Sequence, residues 1–498
     1  MAKALVVTGT HSSAGKSLLV TALCRLFKKA GLKVAPFKAQ NMSLQSFVCR
    51  DGAEIGLAQA LQAFACKLEP ESSFNPILIK PEGDNKSQVL LMGKFYKRLS
   101  ASDYYQERDF LWEKVKSVLD TLRKSFDCLI LEGAGSPAEI NLLSVDLVNI
   151  KPALYLQAPV LLVGDIDKGG VFASLFGTYK LLEHYLPEYV RLLKGFVINK
   201  FRGDLEILRP AIKELEGLLS IDCLGVLPYF ENLALSDEDG FSFFNKKKGS
   251  NPFGDIKVLI LPLRHISNFS DFDPFYLEED VELIYSLRQE DILSADIIIL
   301  PGSKNTLADL QRLLSYEIKE ALQKALNRGA ELIGICGGYQ MLGEVLRNPY
   351  QVEGDLKEIR GLGFLEMETI FYPEKITTQA LARPLAEFYI DGELWGYEIH
   401  KGISHGSNSL FEIKRLANGE VVKEGQIKGR VWGTYLHGIF TNDSFRRELL
   451  NKHRIKKGLN PLPVKRKYWE VVEMTLEELA HHVERYLNME KLFKILGF

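Results

Sequence analysis

Residues 4–27, "ALVVTGTHSSAGKSLLVTALCRLF", hold the reading that decides the fold. A short apolar run ends in Gly9, a loop of small and polar residues follows, and Lys16-Ser17 then opens an apolar stretch with helical pattern. Strand, glycine-bearing loop and helix in that order are the context of a phosphate-binding loop. Backbone N–H groups of Ser13, Ala14 and Gly15 at a helix start attract phosphate oxygens, the Lys16 ammonium reaches the outer phosphates, and the Ser17 hydroxyl suits a magnesium ion. The usual GxxxxGKS/T spacing expects a glycine where Thr10 stands, and Gly9 comes one position early. The expected nucleotide contacts are therefore Thr10, Ser13, Ala14, Gly15, Lys16 and Ser17.

Similar apolar runs that end in glycine or an acid recur outward from this stretch: "CLILEGAGS", "PVLLVGDID" and "GFVINK", then "KVLILPL", "DIIILPGS" and "ELIGICGG". They alternate with amphipathic segments such as Leu307 to Arg328, which indicates parallel strands buried on both faces and an α/β class throughout. Between the two groups lies "FNKKKGSNPFGD", residues 244–255, a lysine run among Gly, Ser, Asn and Pro with no periodic pattern. A length of 498 residues exceeds what one hydrophobic core usually serves. We expect a domain at 1–250, a second at 251–445, and a helical C-terminal extension at 446–498. Asn418-Gly419, between two strand-like runs, predicts a hairpin.

Composition limits the function. Charged residues are 25% of the chain and the formal net charge is -2, so no large basic surface is available for a nucleic-acid backbone. No apolar run reaches membrane-spanning length, and the opening residues lack a signal-peptide pattern. Six cysteines are scattered without CxxC spacing, which argues against a disulfide framework or a zinc site. The expected compartment is the cytoplasm, and homo-oligomerisation is compatible with all of this.

Strand ends in open α/β sheets are where ligands collect. Glu132, Asp165 and Asp167 are candidates to hold a metal there, or simply to cap helices, and Asn199 is placed to read a base edge. In the second half, "GICGGYQMLG" at 334–343 puts Cys336 at a sharp strand-to-helix turn. The following helix start favours the thiolate and offers N–H groups to an oxyanion. Gly337 and Gly302, the latter in "LPGSKNT", are the expected oxyanion-hole positions. A cysteine nucleophile needs a base; His437 in "VWGTYLHGIF" is the best placed, with His400 in "GYEIHKG" its runner-up.

"GICGGYQMLG" and "GTYLHGIF" resemble the class I, triad-type glutamine amidotransferase domain in its cobalamin-biosynthesis variant. "GTHSSAGKS", "APFKAQNMSLQSF", "DGAEIGLAQALQA", "LEGAGSPAEINL", "DIDKGGVFASL" and "INKFRGD" resemble the ligase half of the same cobalamin-biosynthesis amidotransferase family, and the likeness runs from about Val6 to Phe440. The N-terminal half is also similar to dethiobiotin synthetase. These resemblances imply an ATP- and L-glutamine-dependent ligase that amidates the b, d, e and g carboxylates of adenosylcobyrinic acid a,c-diamide, a corrinoid, through an acyl phosphate. The alternative within the family is amidation of the a and c carboxylates of cobyrinic acid. A partner-binding ATPase switch of the ParA/MinD kind has no use for a thiol site.

The same resemblance implies phosphate or metal contacts for Lys16, Ser17 and Lys38, a Mg²⁺ region at Glu54 and Glu132, and an adenine-side role for Asn199. It makes Cys336 the nucleophile and His437 its base. The chain departs from the wider triad class at Ile439, where that class has a glutamate, so the group that orients His437 is unassigned. Related corrin-ring amidotransferases share this departure.

Overall fold

The structure, a computed structural model, describes residues 2–81, 87–230, 251–315, 318–385, 388–389 and 392–498. The chain divides into two compact units. The first comprises Met1–Ser43, Glu54–Asp239 and Val472–Phe498, the second Leu44–Ala53 and Gly240–Val471. Residues 244–250 of the expected linker lie outside the described residues.

In the first unit the apolar runs form one six-stranded sheet. Its order is Asp222–Pro228, Leu193–Phe201, Val160–Asp165, Lys3–Gly9, Cys128–Glu132, Val34–Phe37. Every neighbouring pair is parallel. Leu5, Val6, Val7, Leu129, Ile130, Leu161 and Leu162 are fully buried, which is why these strands read as unbroken apolar runs and not as alternation. Parallel alignment sends the C-terminal ends of the inner strands to one edge. There Val7 is in register with Glu132, Gly9 with Val163, and Asp165 with Asn199.

A smaller sheet of Gln40–Met42, Ile77–Pro81, Ser87–Leu91 and Lys94–Leu99 belongs to the same unit. Its strands have at most six residues and carry several polar ones, so they leave no alternation strong enough to read. The expected separate extension at 446–498 is also not what the chain forms. Residues from Val472 onward return to the first unit, while the helix Asp443–Lys456 belongs to the second. The cause is Arg25, a buried residue on the helix Lys16–Lys29. Its guanidinium is taken up by Glu473 at 2.8 Å and Glu477 at 2.9 Å, acids four residues apart on the helix Tyr468–Tyr486. Phe493 adds a stacked contact with Phe27 at 4.9 Å between ring centres.

The second unit has a parallel half and an antiparallel half in one sheet. Val281–Tyr285, Ile256–Ile260, Ile297–Leu300, Glu331–Ile335 and Val431–Thr434 run parallel in that order. Val421–Lys428, Ser409–Arg415 and Met367–Pro384 continue antiparallel, and Leu394–Gly406 pairs with Met367–Pro384. Ser409–Arg415 and Val421–Lys428 form a hairpin whose turn holds Gly419 at φ +74°, a conformation glycine adopts without strain. The amphipathic stretch from Leu307 resolves into two helices, Thr306–Ser315 and Ile318–Arg328, with buried residues at helical spacing on each. The segment Leu44–Ala53 is drawn from the N-terminal half of the sequence. Val48 clusters with Tyr397 and Ile399, and its carbonyl accepts Gln379 Nε2 at 2.8 Å. No described helix is long and apolar enough to cross a membrane.

Candidate active sites

The phosphate loop closes between the strand Lys3–Gly9 and the helix Lys16–Lys29. Gly15 has φ +98°, and a Cβ there would lie 1.9 Å from Asn199 Nδ2, so only glycine fits. A Cβ on Gly9 would come within 3.2 Å of Ala14 Cβ, His11 O and Lys16 Cδ. A side chain at position 9 would therefore crowd the loop. Thr10 Oγ1 is buried and has no hydrogen-bond partner among the described residues. Lys16 Nζ donates to His11 O at 3.0 Å and Gly135 O at 3.3 Å, which folds the ammonium over the loop.

Behind the loop, Glu132 collects donors. Its Oε1 accepts Ser17 Oγ and Lys38 Nζ, each at 2.8 Å, and its Oε2 accepts Gln62 Nε2 at 2.5 Å and Gln59 Nε2 at 3.3 Å. Gln59 and Gln62 are three apart on the helix Leu57–Ala65 and share one face. Glu54, the other expected metal residue, is fully buried in an ion pair with Lys80. The hydroxyl of Ser17 and the carboxylate of Glu132 are hard oxygen donors in mutual contact, a pair that fits Mg²⁺. Asn199 Nδ2 donates to Ala14 O at 3.0 Å and so braces the loop. Asp165 is occupied by Lys200 at 2.8 Å and by the Asp167 N–H at 2.9 Å, while Arg202 lies 3.9 Å from Asp167.

The second site is built on the strand Glu331–Ile335 and the short helix Gly337–Leu342. Cys336 joins them at φ 52°, ψ -109°, a conformation strained for any residue but glycine. The turn is this tight because the helix presses on its neighbours. A Cβ on Gly338 would stand 2.0 Å from Leu300 O, and one on Gly334 would stand 2.6 Å from Tyr339 Cα. A Cβ on Gly337 would lie 2.8 Å from Ser303 N, and one on Gly302 would lie 3.0 Å from His437 Cε1. Gly337 thus packs against the Ser303 amide and Gly302 against the imidazole of His437.

His437 is buried, and its Nδ1 lies 2.6 Å from Asp271 Oδ2. Asp271 Oδ1 also accepts the Gly438 N–H at 2.8 Å, which fixes the carboxylate. Burial disfavours the imidazolium, but the Asp271 carboxylate and Cys336 outweigh it and push His437 up to about 10. Tyr397 stacks on the ring at 5.4 Å between centres, and its backbone pairs with that of His437 in both directions. His400 is different: its Nδ1 meets Gly402 O at 2.6 Å and its Nε2 meets Glu398 Oε1 at 3.0 Å, so both ring nitrogens are engaged elsewhere. Ile439 is 1% exposed and packs in the core.

Asp271 is the residue that sequence reasoning missed. It sits in "FSDFDPFYL", the 3₁₀ segment Phe269–Leu277, where Phe269, Phe272 and Phe275 are all buried. A carboxylate between aromatics that go inward is a readable signal, because a buried acid requires a partner. Gln59 and Gln62 lie in "DGAEIGLAQALQA", where nothing in the spacing marks them as partners of Glu132.

A family model described as the CobQ/CobB/MinD/ParA nucleotide binding domain matches residues 5–243, and one described as the CobB/CobQ-like glutamine amidotransferase domain matches residues 257–445. The cobyric acid synthase of Thermodesulfovibrio yellowstonii is 53% identical, with all of both chains covered. The chain belongs to the cobyric acid synthase family. The cobyric acid synthase of Clostridium botulinum (strain ATCC 19397 / Type A) is 48% identical, again over the whole of both chains. Among solved structures, a glutamine amidotransferase matches 41% of this chain and 99% of its own at 17% identity, with a TM-score of 0.30. As a cobyric acid synthase family member, the chain is an enzyme, a glutamine-hydrolysing amidotransferase ligase of cobalamin synthesis with a nucleotide-binding domain.

Proposed function

We propose that the chain converts adenosylcobyrinic acid a,c-diamide to adenosylcobyric acid by amidating the b, d, e and g carboxylates in turn. ATP supplies activation and L-glutamine supplies nitrogen. The observation that carries this reading is the buried His437–Asp271 pair, in a second unit that also holds the thiol of Cys336 at a strained strand-to-helix turn. A nucleotide switch would have no use for it, whereas a ligase that needs ammonia would.

A carboxylate does not exchange its oxygen for ammonia at neutral pH, because oxide would have to leave. Transfer of the γ-phosphoryl group of ATP to the carboxylate gives ADP and an acyl phosphate, from which ammonia displaces phosphate. The first unit would contribute position and charge: loop N–H groups from Ser13 to Gly15 with Thr10, and the ammonium groups of Lys16 and Lys38 on the transferred phosphoryl. Asn199 would bound the nucleotide on the base side. Mg²⁺, when held by Ser17 and Glu132, with Glu54 as the further acid of that region, supplies charge neutralisation for the phosphates.

In the second unit the Cys336 thiolate would attack the glutamine γ-carboxamide, forming a C–S bond as the carbonyl becomes an oxyanion. N–H groups around Gly302 and Gly337 are the donors for that oxyanion. His437, held through Nδ1 by Asp271, would give its proton to the leaving nitrogen, so that the C–N bond breaks and ammonia departs. It would then take a proton from the water that hydrolyses the thioester to glutamate. The substrates are small molecules of the cytoplasm, and the reading requires neither nucleic acid nor membrane.

The test is amidation assayed by mass spectrometry with ATP, Mg²⁺ and glutamine, offering cobyrinic acid and its a,c-diamide separately. Four successive amidations of the a,c-diamide are expected. Amidation of cobyrinic acid alone, stopping at the diamide, would assign the chain to the sister reaction.

A further inference from the structure

Two non-glycine residues beside the phosphate loop are in the left-handed region, Ser13 at φ 60° and Lys200 at φ 62°. They meet: Lys200 Nζ donates to Ser13 O at 2.7 Å. The same ammonium pairs at 2.8 Å with Asp165 Oδ2, whose side chain has no exposed surface. Asp165 is itself held by the Asp167 N–H at its other oxygen, and the Ile166 N–H donates to Asn199 O at 3.1 Å between the two strand ends. The residue before Lys200, Asn199, donates to Ala14 O at 3.0 Å. Two successive residues of one strand end therefore hold two successive carbonyls of the loop.

A trans peptide is planar, with its C=O and N–H on opposite sides. Holding Ser13 O and Ala14 O toward Lys200 and Asn199 turns the N–H groups of Ala14 and Gly15 the other way, away from the brace. Those are amides that a phosphate-binding loop must present to anionic oxygens. Left to itself the loop has no reason to stay so arranged, because Ser13 sits in a conformation that costs energy. The strain persists because the surrounding contacts hold it.

We propose that Lys200, seated on Asp165, is a positioning residue for the nucleotide: it fixes the loop carbonyls so that the Ala14 and Gly15 amides are oriented before ATP arrives. This rests on reading the loop as the ATP site. Neither Lys200 nor Asp165 touches the reacting atoms in this account, so the effect is on nucleotide affinity and not on the chemistry.

The experiment uses the full-length chain with ammonium chloride as nitrogen source, so that glutamine hydrolysis is bypassed. The variants are Lys200→Met, Lys200→Arg and Asp165→Asn, with ATP KM and kcat measured separately and Mg-ADP binding followed by calorimetry. Loss of a charge-assisted hydrogen bond that orients the loop is expected to raise ATP KM and the ADP dissociation constant about tenfold or more in Lys200→Met. The fall in kcat is expected to be smaller, Lys200→Arg should recover part of the affinity, and Asp165→Asn should shift affinity in the same direction. An ATP KM in Lys200→Met within about twofold of the parent, or a fall in kcat with KM unchanged, overturns the proposal. If Lys200→Met does not fold, the same measurement on Asp165→Asn decides. Lys16→Ala run alongside separates the two readings. If it keeps ammonia-driven synthesis, the loop is not the ATP site at all; if it abolishes synthesis while Lys200→Met leaves affinity intact, only the positioning role fails.

Discussion

Asp271 Oδ2 stands 2.6 Å from His437 Nδ1, a contact that spans 166 residues of sequence. Ile439, two residues beyond the histidine, is apolar and buried, so the carboxylate that meets the ring comes from elsewhere in the chain. Asp271→Asn preserves size while removing the charge that orients the ring. Glutamine hydrolysis is expected to fall about 10²–10⁴-fold, since a misoriented or wrong-tautomer imidazole no longer serves the nucleophile. Ammonium-driven amidation should stay near the parent rate. Steady-state glutaminase and synthetase assays on one preparation check both, and unimpaired glutaminase would remove Asp271 from the site.

The same pair has a pH signature in stability. His437 is pushed up to about 10 from 6.5. A raised value means that the folded state prefers the imidazolium. The stabilisation is complete below the unfolded value of 6.5 and is lost as pH rises through about 10. The Asp271→Asn variant should therefore be less stable than the parent at neutral pH, and the gap should close between about pH 7 and 10. Urea unfolding of both proteins across that range reads the gap directly; a gap that widens with pH contradicts the assignment.

Separation of the two chemistries is expected on Cys336→Ala. Glutamine should no longer support synthesis, while ammonium chloride should. Lys16→Ala should lose synthesis with either nitrogen source, because charge neutralisation at the phosphoryl group is worth several powers of ten. Equal loss of both activities in Cys336→Ala would break the division of labour.

Gly338→Ala tests the packing that strains the nucleophile. The added methyl would stand 2.0 Å from Leu300 O, a backbone atom of a central strand that cannot yield. The turn at Cys336 has to shift, at a cost of about 1–3 kcal/mol in stability. Thermal unfolding should show the loss, and glutaminase should fall more steeply than ammonium-driven synthesis. A variant as stable and active as the parent would show that the helix is free to move.

Much of both sites is local chemistry, and local chemistry is legible in a sequence. The phosphate loop requires Gly15, Lys16 and Ser17 in one short stretch, and the turn at Cys336 requires glycines on either side of it. The sequence puts His437 ahead of His400 as the base, but each lies next to suitable residues and the physical difference between them is in their three-dimensional partners. His400 has both ring nitrogens taken by Gly402 and Glu398, while His437 meets Asp271 through Nδ1 and is pushed up by both Asp271 and Cys336. The partners of the residues expected near a metal are also set by tertiary structure. Ser17 and Glu132 are in contact, whereas Glu54 pairs with Lys80, a lysine whose burial no local pattern announces.

The amino-acid order alone determined the α/β class, the phosphate loop, the cysteine at its turn and the presence of two chemistries in one chain, because periodicity and glycine spacing act over a few residues. Tertiary structure alone decided that Asp271 meets His437, that Gln59 and Gln62 bond to Glu132, and that Lys200 bonds to the Ser13 carbonyl. It also decided that Leu44–Ala53 joins the second unit while the last two helices return to the first, one at Arg25 and the other at Phe27. A buried charge needs a partner, but which residue meets that need depends on how distant strands and helices pack, and sequence spacing carries no record of that.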